Sequence, residues 1–181
     1  MLKFLGIVVA VLVAVHPGTA VAQEQPTEFQ VKAAFLFNFV KFVEWPADTF
    51  HEGDGHIRLC VLGDERLARE LGRLVTGKVV DGHALEAIRI TASEHGRGCQ
   101  VVFVASSQAG GRDAVAQLRG ASVLTVGDSA DFIRQGGMIR FFLLDNRVRF
   151  EINRAAADHC RLKISSKLLA LAQSAGRAGG G

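Results

Sequence analysis

The 181-residue sequence has no run of five like charges, no apolar stretch long enough to stay in a bilayer as a helix, and no internal repeat. The first absence argues against nucleic acid as a partner: the formal charge is +3 and the pI about 9.0, but Lys and Arg are spread singly rather than gathered into a patch. An acidic protein or an anionic lipid surface remains compatible with that mild basicity. Enzyme signatures are also missing. His83, His95, Cys99, His159 and Cys160 match no zinc spacing, so no metal is expected. No G-x-S-x-G elbow presents a serine nucleophile, and Ser106-Ser107 and Ser165-Ser166 sit where capping is the ordinary role. The segment Gly63-Asp64-Glu65-Arg66 places two acids where a phosphate needs backbone amides, so no nucleotide cofactor is expected either. The chain is therefore not expected to be an enzyme.

What is present begins with an export signal. Lys3 is followed by the apolar run Phe4 to Val15, then Pro17-Gly18, then the small-residue triplet Ala20-Val21-Ala22. Charged region, apolar region and A-x-A site in that order predict a signal peptide over residues 1–22, cleaved after Ala22. The apolar run is about a dozen residues, short of the roughly 20 that a spanning helix needs. The mature chain is expected to be soluble and to fold outside the cytoplasm.

Composition is that of an ordinary globular domain, 49% hydrophobic against 22% charged. The pattern predicts one domain over residues 23–173 and a disordered Gly- and Ala-rich tail over 174–181. Helical spacing runs from Glu28 to Glu44, ended by Pro46. A strand Ile57 to Leu62 leads through Gly63-Asp64 into a helix Glu65 to Val75, the opening of a parallel α/β unit. Strands are expected at 84–91, 100–105 and 122–126, and helices at 111–118, 130–134 and 165–172. The segments 138–144 and 147–152 flank Asp145-Asn146 as a β-hairpin. The expected fold is α/β: a single domain with a mostly parallel sheet flanked by helices and a C-terminal hairpin.

Two features stand out beyond the fold. Cys60 and Cys99 lie on strands that a parallel sheet can bring together, and export would place them in an oxidising compartment. A disulfide and two buried thiols are the alternatives. Cys160 is the odd cysteine, a free thiol or an intermolecular bridge. The second feature is aromatic crowding. Tyrosine is absent, yet Phe35, Phe37, Phe39, Phe42, Trp45 and Phe50 fall within sixteen residues. A helix apolar over so much of its circumference is either covered by two layers or meets another chain. Phe35, Phe39, Phe42 and Trp45 are thus candidates for a partner or dimer interface.

Several segments together resemble the YfiR-like family of periplasmic proteins. They are Val31-Lys32-Ala33-Ala34-Phe35-Leu36-Phe37-Asn38-Phe39 with Val43-Glu44-Trp45-Pro46, then Ile57 to Gly63 and Gly98 to Phe103. Leu124-Thr125-Val126-Gly127-Asp128, Phe132 and Gly136-Gly137-Met138-Ile139 follow, then Val148 to Asn153 and Ile164 to Leu169. The resemblance implies a periplasmic negative regulator that holds an inner-membrane diguanylate cyclase (YfiN-like) inactive, with an outer-membrane lipoprotein (YfiB-like) sequestering the regulator. Cyclic di-GMP, biofilm formation and motility are the implied outputs. It also implies a homodimer, and a disulfide between Cys60 and Cys99. A second family disulfide needs a cysteine that this chain lacks. The alternative reading is a periplasmic sensory module that binds a small ligand and acts on another membrane signalling protein.

Overall fold

A computed structural model describes residues 25–50 and 55–177; the signal peptide expected over 1–22 and residues 178–181 lie outside the described residues. A seven-stranded sheet forms the centre, with strand order β3-β4-β2-β5-β6-β7-β8. Its members are β2 (His56–Leu62), β3 (Val79–Val80), β4 (His83–Ile90), β5 (Val101–Val104), β6 (Leu124–Gly127), β7 (Ile139–Leu144) and β8 (Arg147–Ile152). The five strands from β4 through β7 are parallel, and β3 and β8 close the two ends antiparallel. Taken in chain order, those five run 2-1-3-4-5, the doubly wound arrangement. The sheet therefore matches the mostly parallel α/β domain with a terminal hairpin that the sequence pattern predicts.

Alternation along the strands builds a core on each face. Leu59, Val61, Val101, Phe103, Leu124, Val126, Ile139 and Phe141 point to one side, under α1 (Glu28–Phe42), α2 (Glu65–Val75) and α5 (Ser166–Arg177). Cys60, Leu62, Val102, Val104 and Val123 point to the other, under α3 (Gly111–Gln117) and the turn at Ser93–Gly98. Because β5 is buried on both faces, all four of its residues are apolar.

Local chemistry sets the helix ends. Thr27 and Gln30 form a capping box at the start of α1, and Asp64 accepts the Leu67 N–H at 2.9 Å to start α2. Leu67, Leu71 and Val75 recur every fourth residue and face the sheet. Covering α1 from two sides explains its broad apolar surface: the sheet lies beneath it and α2 beside it.

Four details differ from the sequence pattern. Helix α1 stops at Phe42, before Pro46, because Val43–Glu44 (β1) pairs antiparallel with Lys163–Ile164 (β9). Residues 130–134 form turns rather than a helix, since Phe132 is drawn into the core between Gly127 and Gly137. A short helix α4 (Arg154–His159), capped by Asn153, was not evident from periodicity. The last helix is longer than expected, continuing to Arg177.

Candidate functional site

In doubly wound sheets ligands bind beyond the carboxyl ends of the strands, where the strand order reverses, here between β2 and β5. In this chain the loop after β5 folds over that point. Gly63 has φ +86°, and a β-carbon there would strike Gln108 at 2.9 Å. Ser107 donates its hydroxyl to the Gly63 carbonyl at 3.3 Å. The chain's own Gln108 thus packs against Gly63 at this point, and a cavity of about 210 Å³ lined by Ala105, Ser106, Gln108 and Ser129 opens beside it.

Beside it lies a partly buried charge cluster. The Lys32 ammonium, reaching down from α1, is 2.6 Å from Glu28 Oε1 and 2.7 Å from Asp128 Oδ2. The other oxygen of Asp128 accepts the Ser106 N–H at 2.6 Å. Burial alone would lower the lysine's pKa; hydrogen bonds and negative charge from Asp128 and Glu28 outweigh it, so the pKa is raised above its ordinary 10.5. A lysine held protonated is a strut, not a nucleophile. The cluster ties the first turn of α1 to the ends of β5 and β6. Sequence spacing did not reveal this cluster; its only trace was Lys32, which with Asn38, Lys41 and Glu44 interrupts the apolar surface of the expected helix.

A cavity of about 280 Å³ opens near the amino ends of the strands, where Arg58, Arg97 and Arg161 surround Asp48, Thr49 and Gln100. Arg161 pairs with Asp48 at 2.9 Å, Arg97 donates to the Gln117 carbonyl at 2.6 Å, and Arg58 lies 3.7 Å from Glu86. The hydroxyl of Thr49 is buried without a hydrogen-bond partner. Three guanidiniums around such a space suit a small anion. Among the described residues no three His, Cys, Asp or Glu side chains converge as metal ligands.

Cys60 and Cys99 form a disulfide, their α-carbons 6.0 Å apart, in the core under α3. Cys160 is free and buried in the opposite core. The aromatic candidates separate by depth. Phe39 is fully buried within the single chain, its ring 5.8 Å from Phe141 and 5.2 Å from Phe150. Phe35 is half-buried against the same two rings, at 5.9 and 5.2 Å. Phe42 and Trp45 are half-buried against the core, and the Trp45 indole N–H lacks a partner. Much of the aromatic crowding on α1 thus meets the chain's own hairpin.

Among the described residues no helix is long and apolar enough to cross a membrane. A search of curated proteins gives no match. Among solved structures, a conserved domain protein from Vibrio cholerae O1 biovar El Tor str. N16961 superposes with a TM-score of 0.51 at 12% identity. That likeness, which establishes the fold alone, covers 80% of this chain and 59% of the other. A family model described as YfiR/HmsC-like matches residues 29–173. That span includes the whole sheet, the disulfide and the Lys32–Asp128 pair, and the chain accordingly belongs to the YfiR/HmsC-like family of periplasmic regulatory proteins.

Proposed function

We propose that this chain, after cleavage behind Ala22, is a periplasmic repressor that binds the periplasmic part of an inner-membrane diguanylate cyclase and holds it inactive. The observation that carries this reading is the family match across residues 29–173. The mechanism is linkage: a regulator that binds the inactive conformation alone shifts the enzyme's population by its differential affinity for the two states. An outer-membrane lipoprotein that competes for the regulator would release the cyclase. In this reading the regulator acts as a homodimer.

Deleting the gene tests the proposal. Cyclic di-GMP should rise and surface attachment increase; an unchanged cyclic di-GMP level overturns the repressor reading.

The arginine-lined cavity supports a second reading, a sensory module whose anionic ligand alters the partner surface. Isothermal titration with small carboxylates and phosphates, compared between the native chain and Arg161→Ala, separates the two readings.

A further inference from the structure

The hairpin of β7 and β8 runs past the rest of the sheet. Strand β6 pairs with β7 only at Ile139 and Arg140, so from Phe141 onward β7 has β8 as its sole strand neighbour. One face of the hairpin packs Phe141, Val148 and Phe150 into the core. The other carries three cross-strand pairs: Arg140 with Glu151, Phe142 with Arg149, and Leu144 with Arg147. Three guanidiniums there face one carboxylate.

That carboxylate is already engaged, because Glu151 pairs with Arg140, which also lies 5.3 Å from the Phe142 ring. Arg147 is exposed and has no ion-pair partner among the described residues. Arg149 is half-buried, and its Nε is buried with no hydrogen-bond acceptor. Phe142 and Leu144 lie beside these arginines, half-buried, and Leu143 on the opposite face is 55% exposed.

We propose that this face docks an acidic protein segment whose carboxylates engage Arg147 and Arg149 and whose apolar side chains cover Phe142 and Leu144. Guanidiniums recognise carboxylates in a forked geometry, and Arg147 and Arg149 are the two on this face that no carboxylate of the described residues engages. A lipid surface fits less well, since Asp145 stands at the hairpin tip and would meet the anionic headgroups first. The inference rests on the reading of this chain as a regulator that acts by binding protein, and it names the surface that would do so.

The test titrates the mature chain with short peptides alternating Leu with Glu, Gln or Lys, and with phosphatidylglycerol vesicles, following backbone amide NMR signals. The Glu-Leu peptide should shift residues 139–152 saturably and bind roughly tenfold or more tighter than the Gln-Leu peptide. Arg147→Glu, at an exposed position, should abolish that binding with the melting temperature unchanged; Arg149→Glu should do the same where it folds. Equal binding of the Lys-Leu peptide, shifts confined to another surface, or a preference for vesicles overturns the proposal. In cells the two readings part: if deletion raises cyclic di-GMP and Arg147→Glu with Arg149→Glu still represses fully, the surface fails while the repressor reading stands. If deletion changes nothing and the Glu-Leu peptide binds as described, the repressor reading fails while the surface stands.

Discussion

The ring of Phe132 occupies the space that a β-carbon on Gly137 would take, and its other edge presses on Gly127 in the same way. Neither glycine has a positive φ, so close approach and not backbone strain explains them. Gly137→Ala is expected to cost about 1–3 kcal/mol by overpacking, read as a lower urea midpoint. Adding Phe132→Leu should recover part of that loss, since the neighbour then yields space. A Gly137→Ala chain as stable as the native one would mean that the turn moves aside freely.

Opening the Cys60–Cys99 disulfide should lower stability. The bridge spans a sequence separation of 39, for which the chain-entropy model gives about 4 kcal/mol. The Cys60→Ser, Cys99→Ser double variant is expected to melt several degrees lower in calorimetry without reductant. Cys160→Ser should leave the reductant-induced shift intact, because that thiol is buried in the other core.

The Lys32 cluster has a pH signature. Its folded pKa lies above the ordinary 10.5, so the ion pair contributes fully below that value and its contribution falls as the pH rises through the raised folded pKa. Urea stability should therefore drop between neutral pH and strongly alkaline pH. Lys32→Met should cost about 1–3 kcal/mol at pH 7, because the buried side of Asp128 loses its counter-charge, and should remove that alkaline dependence. A Lys32→Met chain with the native alkaline profile would assign the effect to other lysines.

Depth on α1 predicts a graded series. Phe39→Ala should cost about 3–5 kcal/mol, as for a fully buried aromatic residue. Phe42→Ala, at a half-buried position, should cost visibly less and leave a folded chain. Sedimentation of Phe42→Ala and Trp45→Ala then tests these two residues as dimer contacts without the confusion of an unfolded core.

The parts of the fold legible in the sequence are those specified by near neighbours. Asp64 announces α2, a short apolar run announces β2, alternation announces β4, and Asp145-Asn146 announces the hairpin with both residues at positive φ, as such a turn demands. Pairings between distant segments left no local mark. Val43 meets Ile164, and Lys32 meets Asp128, across separations that no periodicity encodes. Residues 130–134 misled because their apolar Phe132 and Ile133 suit a helix, while the decisive contact is with glycines before and after. The aromatic stripe on α1 was visible, but its covering by Phe141 and Phe150 was not.

The pairing of β1 with β9 has a consequence for the order in which the molecule is made. A chain threaded through a membrane amino end first delivers α1 before anything that covers it. The rings that receive Phe39 follow roughly a hundred residues later, and the ladder that finishes the helix arrives later still. Were the chain delivered in that way, its most aromatic segment would emerge well ahead of Phe141 and Phe150 and would be the part most in need of a chaperone.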